Sequence, residues 1–377
     1  MNSSTAQEAP PIRVLIYAPH FSEYSLRLAN ALSTSADVCL VLRCRNFADE
    51  VDESDLPAPR VTCRCVPTEN AFSRLVSLIR VLMIAVRFQP DVVHMHENGT
   101  RLSYWLSRFF CRFWPTLLTV HDPLPHSGAD SAISDQSQKR IDEIRRRVKG
   151  FHVHGDYCAD TLRRVVDVAG RPVCITAHGP LLEALATQHN EKSGCRMLMF
   201  GRMFRYKGVE YFVRSVSQLR EPYPDLIGVL AGQGPELERL RSIIGQAGNL
   251  QCVDRFVPPA ELRDQIRQCD LVVAPYLDAT QSGVIAASFA NGKPVLATAV
   301  GGIRDIVQDG ENGLLVQPAD LAGLVSAMRR FLEDDQLRVR LAKGAAETLT
   351  GERSWPGIGR KLLVAYGQVL GRGGGQR

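Results

Sequence analysis

Two polar segments in the second half of the chain carry residue types that bind anions. Residues 201–208 contain Arg202, whose guanidinium is a planar fork of donors, and Lys207, whose ammonium is a point charge. The two side chains could hold a diphosphate, although most arginines and lysines are simply solvated at the surface. Residues 278–283 lie between an apolar run and a helix of small residues, so the free N–H groups of that helix would face the loop. Any βαβ connection has this outline, but the sequence favours phosphate binding.

A third turn of the same kind follows another apolar run. Gly232 and Gly234 precede Pro235, which begins a predicted helix. The glycines allow a ligand to approach the backbone closely, or they form a tight turn and nothing more. Three such turns at strand ends in one half of the chain indicate a site for a phosphorylated ligand more strongly than any single turn does.

Histidines collect at predicted strand ends in the first half of the chain. One such histidine is usually a structural hydrogen-bond partner, but several at one sheet edge indicate a cleft lined with neutral donors and acceptors. A metal site is only weakly indicated, because no two histidines have helical ligand spacing and the sequence contains no Asp-x-Asp triplet. The histidines concerned are His20, His94, His96, His121, His126 and His178.

Such loops require an alternating α/β architecture, and the hydrophobic pattern predicts one along the whole chain. The predicted strands of the first half are residues 13–18, 36–42, 91–94, 116–120, 150–153 and 173–176. Those of the second half are residues 197–200, 226–230, 270–275 and 295–298, with a short strand near Val253. Residues 46–60 are expected to be a surface loop and residues 188–194 a polar linker. The predicted fold class is therefore α/β, with two doubly wound parallel sheets that face a cleft.

Bulk composition narrows the class of protein. A chain of 377 residues is long enough for two domains, and 45% hydrophobic with 23% charged residues is typical of a soluble globular protein. The formal net charge of +5 is too small to indicate nucleic-acid binding. The ten cysteines lack zinc spacing, and neither a signal peptide nor a membrane span is predicted. A cytoplasmic protein with reduced thiols is expected.

One predicted helix, residues 101–114, bears on membrane contact. Its apolar stripe consists of Leu102, Leu106, Phe109 and Phe113. Its basic stripe consists of Arg101, Trp105, Arg108 and Arg112. The basic stripe either faces solvent, which is the preferred interpretation, or rests peripherally on the anionic inner surface of a membrane.

Several segments occur in an order and spacing that resemble a known family. They are residues 119–123, 200–208, 231–235, 255–257, 275–283, 291–295 and 300–302. This set is similar to that of the retaining GT-B glycosyltransferases of group 1 (family 4), especially bacterial polysaccharide enzymes with an Ala-Thr-Gln-Ser-Gly loop. The resemblance covers most of the chain from about residue 90 onward.

The resemblance implies two Rossmann-like domains with a nucleotide-sugar, UDP- or GDP-linked, in the second. Residues 1–180 would form the acceptor-side domain and residues 181–353 the donor domain, with a helix at residues 354–371 crossing back to the first. The acceptor would be a glycan or lipid-linked glycan in bacterial polysaccharide or glycoconjugate synthesis. The family pattern implies no metal or other cofactor.

The resemblance also assigns roles to single residues. The donor diphosphate would be bound by Arg202, Lys207, Thr280, Gln281, Ser282, Gly283 and Val284. The base pocket would be formed by Arg255, Phe256, Val257, Gly232 and Gly234. The acceptor side of the cleft would be lined by His20, His96, Glu97 and His126. His121 would lie beside the transferred sugar as an orienting hydrogen-bond donor, while the leaving phosphate helps to deprotonate the acceptor hydroxyl in a front-face substitution.

Two of the departures from the family pattern are missing carboxylates; two others are Asp305 in place of a glutamate and residues 19–23, which lack the usual glycine pair. Many relatives carry a pair of glutamates across the last loop and its helix, and those positions hold Ala279 and Ala287 here. Asp278 and Gln281 are the nearby polar groups that would take over the sugar contacts. The missing carboxylates motivate a second hypothesis, a catalytically silent scaffold or binding subunit. A third is a nucleotide-sugar epimerase on the same two-domain plan.

Overall fold

Two parallel β-sheets with helices on both faces make up the fold. The computed structural model describes residues 10–52, 55–125, 133–182 and 194–371. Alternate residues of β1 (Ile12–Ala18) belong to different hydrophobic clusters: Leu15 and Tyr17 pack on one face of the first sheet, and Val14 and Ile16 pack on the other. A strand that is buried on both faces has a continuous apolar sequence, which is why such strands could be predicted. The two parallel sheets confirm the predicted doubly wound architecture.

The first sheet has seven strands in the order β3-β2-β1-β4-β5-β6-β7. After β1 its strands are β2 (Ala36–Arg43), β3 (Val61–Val66), β4 (Val92–His96), β5 (Thr116–Val120), β6 (Gly150–His154) and β7 (Val173–Thr176). The helices that follow successive strands are α1 (Ser22–Leu32), α2 (Cys44–Glu50), α3 (Ala71–Phe88), α4 (Arg101–Phe113), α5 (Asp135–Arg147) and α6 (Asp156–Val165).

The second sheet has six strands in the order β10-β9-β8-β11-β12-β13. They are β8 (Cys195–Phe200), β9 (Leu226–Gly232), β10 (Leu250–Asp254), β11 (Leu271–Ala274), β12 (Val295–Thr298) and β13 (Gly313–Val316). The helices are α7 (Val209–Gln218), α8 (Pro235–Ala247), α9 (Pro259–Gln268), α10 (Gly283–Ala290), α11 (Leu321–Glu333), α12 (Asp335–Thr348) and α13 (Trp355–Val369). Strand order reverses between β8 and β11, and ligands of such sheets bind at the carboxyl ends of the strands at that point.

The last helix, α13, packs on the first sheet rather than the second. Ile358, Leu362 and Tyr366 are buried in the same cluster as the residues of β1. The Tyr366 hydroxyl is hydrogen-bonded to His94 Nδ1 at 2.7 Å, and the indole N–H of Trp355 donates to a backbone carbonyl at 2.9 Å. The helix therefore belongs to the first hydrophobic core, although about 180 residues separate it from β7.

Two sequence predictions differ from the structure. The segment predicted as a surface loop, residues 46–60, overlaps the short helix α2, which is fixed because the Glu50 carboxylate accepts from the backbone N–H of Ser22 at 2.5 Å. On α4 the buried stripe runs through Phe110, whereas Phe113 is exposed. The helix therefore packs through positions four residues apart, and the predicted stripe through Phe113 is wrong.

No helix in the described ranges is both long and apolar enough to cross a bilayer. None of the ten cysteines is in a disulfide bond. Five are partly buried, three are buried and two, Cys65 and Cys252, are exposed, so no covalent cross-link contributes to the fold.

Candidate functional site

The two anion-binding segments meet at the point where strand order reverses in the second sheet. The cationic loop (residues 201–208) follows β8, and the 278–283 loop follows β11, its neighbour in the sheet. A Cβ placed on Gly201 would lie 3.6 Å from Val284 Cγ2, so the cationic loop adjoins the first turn of α10. Parallel register thus brings the predicted phosphate-binding residues to one edge of the sheet.

Lys207 is linked to the start of α10 through an aromatic ring. Its ammonium lies 3.9 Å from the centre of the Tyr276 ring, and the Tyr276 hydroxyl lies 3.2 Å from Ser282 Oγ. Ser282 caps α10 by accepting from the backbone N–H of Ile285 at 3.3 Å. Burial lowers the pKa of Lys207 to about 8, so the ammonium remains mostly charged at neutral pH. A desolvated cation beside a helix N-terminus is a site for an anion.

Arg202 lies on the exposed side of the same loop. Its guanidinium donates to the Tyr206 hydroxyl at 3.1 Å and stacks 5.4 Å from the centre of the Phe204 ring. The two rings hold the side chain at the cleft, where it also lowers the pKa of Lys207 by repulsion between like charges. A bound diphosphate would offset the repulsion between these two cations and stabilise the charged form of each.

Glycines hold the cationic loop against its neighbours. A Cβ on Gly208, whose φ is +70°, would lie 1.9 Å from the Pro275 carbonyl oxygen. A Cβ on Gly232 would lie 1.9 Å from the carbonyl oxygen of Gly201, and one on Gly234 would lie 2.4 Å from that of Met203. Gly232 and Gly234 are therefore required for contact between two loops of the protein, and their predicted place in a base pocket stays a prediction.

The 278–283 loop also contacts the first domain. The Thr280 hydroxyl donates to the carboxylate of Asp122, which follows His121 at the end of β5. Gln281 Oε1 is buried and has no hydrogen-bond partner within the described residues. Ala279 and Ala287 are buried, and Ala287 packs in the core of the second domain. A carboxylate at either position would lie in an apolar environment, so this chain has no place for the glutamate pair without rearrangement.

The other predicted base-pocket residues lie after β10. Arg255 is exposed and forms an ion pair with Glu261, with N–O distances of 2.6 and 2.8 Å. Phe256 is also exposed, whereas Val257 is buried in the core of the second domain. An exposed aromatic ring at a strand end is suited to stacking on a base.

All histidines in the described part of the chain gather at the carboxyl edge of the first sheet. The six that are buried are His94, His96, His121, His152, His154 and His178. Their rings surround Tyr24: the centroids of His96, His121, His154 and His178 lie between 5.2 and 5.7 Å from the Tyr24 centroid. Burial, together with repulsion from neighbouring histidines, holds the pKa of His121 well below its usual range. The imidazoles are therefore neutral at physiological pH.

His121 is the member of this cluster that lines the cleft. It is 5% exposed, its Nε2 lies 3.4 Å from His96 Nδ1, and its Nδ1 has no partner within the described residues. The Phe21 ring covers it at a centroid distance of 4.3 Å. One nitrogen therefore faces His96, and the other, Nδ1, is a buried hydrogen-bonding group that no described residue satisfies. His96 itself is fully buried and supports His121 rather than lining the open cleft.

The cleft has a volume of about 1320 Å³, and of the described residues that line it all but Arg202 belong to the first domain. His20 lines it and contacts the carbonyl oxygen of Glu97 at 3.1 Å. Glu97 also lines the cleft, and its carboxylate accepts two hydrogen bonds from Arg145, at 2.6 and 2.7 Å; its place beside an acceptor stays a prediction. His126 lies outside the described residues. Arg145 also donates to the Pro123 carbonyl oxygen at 3.1 Å, so the buried pair fixes the loop that follows His121.

Three residues of the site were not singled out from the sequence. Tyr276 bridges Lys207 and Ser282, Asp122 joins the two domains, and Arg145 neutralises Glu97. Asp122 directly follows His121 in the segment that carries the family resemblance, and this adjacency was the available signal. Nothing in a single sequence distinguishes Arg145 from the neighbouring arginines of α5.

Comparison with known proteins agrees with this geometry. The profile of the family described as Glycosyl transferases group 1 matches residues 194–334. A D-inositol 3-phosphate glycosyltransferase of Frankia alni is 31% identical over 385 residues, which cover 92% of this chain and 89% of that protein. A protein of the same name from a Nocardioides species is 35% identical over 187 residues, 45% of this chain, and the chain spans only 41% of its length.

A solved structure shares the fold at low sequence identity. Anabaena HepE, in complex with UDP-glucose, superposes with a TM-score of 0.72 at 15% identity, covering 95% of this chain and 100% of HepE. The two facing parallel sheets are the GT-B fold. The chain belongs to the group 1 glycosyltransferases, as the full-length similarity to the Frankia protein and the family profile establish.

Proposed function

We propose that this chain transfers a sugar from a UDP- or GDP-sugar to a hydroxyl group of a glycan or lipid-linked glycan, with retention of configuration and without a metal or other cofactor. One observation carries the proposal: the contacts from Lys207 through Tyr276 to Ser282 link a partly buried cation to the N-terminus of α10. The UDP-glucose bound to HepE, which shares the fold, supports a nucleotide-sugar donor.

The proposed reaction requires stabilisation of a departing nucleoside diphosphate. As the glycosidic bond breaks, negative charge grows on the phosphate oxygen that leaves. Arg202, Lys207 and the first backbone N–H groups of α10 are fixed donors at that position, and a preorganised set of this kind costs no reorganisation during the reaction. Removal of one such donor commonly costs about 10²–10³ in kcat.

His121 acts in this proposal as a neutral donor rather than as a base. Its depressed pKa keeps the imidazole uncharged at physiological pH, and its unpartnered nitrogen is suited to a hydroxyl of the transferred sugar. Proton removal from the acceptor is then assigned to the leaving phosphate. The orphan carbonyl oxygen of Gln281 accepts a second sugar hydroxyl, a role that the absent glutamates would otherwise fill.

The biological setting that we propose is bacterial polysaccharide or glycoconjugate synthesis in the cytoplasm, with peripheral contact at the inner membrane surface. The cleft of about 1320 Å³ lies on the side of the first domain, is also lined by Arg202, and is large enough for an acceptor there. The long alignment with a D-inositol 3-phosphate glycosyltransferase supports a hydroxyl acceptor.

The donor site is tested first by ligand binding. UDP or GDP, at a hundred times its dissociation constant, should stabilise the folded protein by about 2.7 kcal/mol, measured as a thermal shift. The double substitution Arg202→Ala with Lys207→Ala should abolish that shift. Arg205→Ala is the matched control, because Arg205 is an exposed arginine of the same loop. Equal loss in the control and the double variant would contradict the assignment.

Transfer is tested with a panel of nucleotide-sugars and mass spectrometry of the products. A sugar released from the nucleotide in wild-type protein and lost in His121→Ala supports the proposal, and NMR of the new linkage tests retention. A product that remains nucleotide-linked would indicate epimerisation. Tight UDP binding with no turnover of any donor would favour the silent binding subunit.

A further inference from the structure

Helix α3 is apolar on both faces, although only one of them is packed. Ser77, Val81 and Ala85 face the first sheet and are buried. On the opposite side a row of large apolar side chains is 45% to 76% exposed: Phe72, Leu75, Ile79, Met83 and Val86. Their spacing of three, four, four and three residues places them along one side of the helix. A contiguous exposed apolar row on a soluble protein marks a binding surface.

The adjacent helix α4 extends this surface. Trp105 and Phe113 are both more than half exposed. The guanidinium of Arg108 stacks 5.7 Å from the Trp105 centroid, and that of Arg112 lies 5.7 Å from the Phe113 centroid. Arginine beside an exposed aromatic ring is an arrangement that suits the boundary between water and lipid headgroups.

The charge on this surface has one sign. Helices α3 and α4 together carry six arginines and no Asp or Glu. The six are Arg74, Arg80, Arg87, Arg101, Arg108 and Arg112. A two-fold dimer through this face would oppose one set of arginines to the same set on a second copy, which costs electrostatic energy. An anionic bilayer instead complements both the charge and the apolar row.

The cleft opens at the N-terminal ends of the same two helices. Arg74, Leu75 and Leu78 of α3 and Arg101 and Trp105 of α4 all line it. The arginines of the lining have no carboxylate partner among the described residues, whereas the carboxylates of the lining are hydrogen-bonded within the protein. The cleft is therefore continuous with the exposed surface and carries excess positive charge at its mouth.

We propose that the face formed by α3 and α4 docks on an anionic phospholipid bilayer, with the apolar row of α3 in the headgroup region and the mouth of the cleft at the membrane surface. A lipid-linked acceptor then reaches the cleft without leaving the bilayer. The choice of a lipid-linked glycan over a free glycan as acceptor rests on the proposed function, whereas the membrane docking does not.

The docking is tested by co-flotation of the full chain with vesicles. Vesicles of phosphatidylglycerol and phosphatidylcholine in equal parts should carry the protein upward, and vesicles of phosphatidylcholine alone should carry much less. The double substitution Ile79→Gln with Met83→Gln should lower vesicle affinity roughly tenfold or more, because two apolar side chains no longer leave water. Arg80→Gln, Arg108→Gln and Arg112→Gln combined should lower it roughly a hundredfold on anionic vesicles.

The matched control is Val339→Gln on α12, since Val339 is 72% exposed and lies outside the face. Its vesicle affinity should equal that of the wild type. The proposal would be overturned if the wild-type protein failed to float with anionic vesicles. It would also be overturned if Val339→Gln lost as much vesicle affinity as the α3 variant. A dimer in sedimentation velocity that becomes monomeric in the α3 variant would overturn it as well, because the face would then cover a second copy.

UDP thermal shifts on the same samples separate this inference from the proposed function. A protein that binds UDP without floating refutes the docking and leaves the glycosyltransferase assignment intact. A protein that floats without binding any nucleotide refutes the assignment and leaves the docking intact. A retained UDP shift in the α3 variant also shows that a lost membrane contact is not the result of misfolding.

Discussion

Mild acid is expected to destabilise the first domain, because its buried histidines cannot accept protons without losing their packing. Burial lowers the pKa of His94 to about 3 and that of His178 to about 4. It lowers the pKa of His96, His121, His152 and His154 well below the usual value. The unfolded chain protonates near pH 6.5, so between that pH and about 4 it binds more protons than the folded chain. The free energy of unfolding must therefore fall as the pH falls.

The magnitude follows from the six buried side chains. At about pH 6.0 a histidine that is neutral when folded and has an ordinary pKa when unfolded costs about 0.8 kcal/mol, against less than about 0.1 kcal/mol at pH 7.5. Six of them remove about 5 kcal/mol. Buried Glu23 and Glu97 act in the opposite direction, since burial raises their pKa and the folded state takes up their protons first. A loss of about 5 kcal/mol is a large share of the total stability of a domain.

Urea unfolding followed by tryptophan fluorescence measures this loss. All three tryptophans report on the first domain: Trp105 lies on α4, Trp114 directly follows it, and Trp355 packs on Tyr24 with ring centroids 5.2 Å apart. Transitions at about pH 7.5 and 6.0 give the difference in free energy.

His152→Gln is the informative variant for the same experiment. His152 is hydrogen-bonded to two threonine hydroxyls, at 2.9 and 2.8 Å, and glutamine retains hydrogen-bonding groups there. The substitution should reduce the difference between the free energies of unfolding at pH 7.5 and pH 6.0 by about 0.8 kcal/mol, whatever its effect on absolute stability. If the free energy of unfolding of the wild type differs by less than about 1 kcal/mol between the two pH values, the reasoning is refuted, because the histidines then titrate normally in the folded state.

Three further predictions concern the site. UDP affinity should decline above about pH 8, where Lys207 loses its charge, and Lys207→Arg should remove that decline. Binding titrations at neutral and alkaline pH check this. A wild-type UDP affinity that does not change with pH would contradict it. Glu97→Gln should cost about 3–5 kcal/mol in urea unfolding, because Arg145 is left buried without a counter-charge, and a loss under about 1 kcal/mol would count against a structural role for the pair. Gly208→Ala sets a Cβ 1.9 Å from a backbone oxygen and should weaken UDP binding at least about tenfold, whereas Gly245→Ala, with open space around it, should not.

The strands that the sequence did not predict lie at the edges of the sheets. β3 ends the first sheet and β13 ends the second. The residues of β3 alternate irregularly between buried and exposed, because an edge strand has a neighbour on one side only. Interior strands such as β5 are buried at every position and were predictable as apolar runs. Helix α2, which buries none of its residues, had no apolar period to detect.

The site was predictable where function depends on local chemistry and unpredictable where it depends on tertiary contact. Arg202 and Lys207 were predicted as phosphate ligands because a loop after a strand carried cations; the structure places them in one loop, and their role stays a prediction. The sequence could indicate histidines at strand ends, but it could not show that four of them surround Tyr24 or that Arg145 neutralises Glu97. These contacts join residues from different elements, so no periodicity reports them.

Helix α13 has a consequence for the order in which the protein can fold during synthesis. Domains usually fold from the N-terminus onward as the chain emerges. Here Ile358, Leu362 and Tyr366 complete the core of the first domain, so that core cannot be completed until α13 has been synthesised. Until then His94 lacks its Tyr366 partner and one apolar face of β1 lacks its cover. The second sheet can form before the first core is complete, because all of its strands precede α13 in the chain.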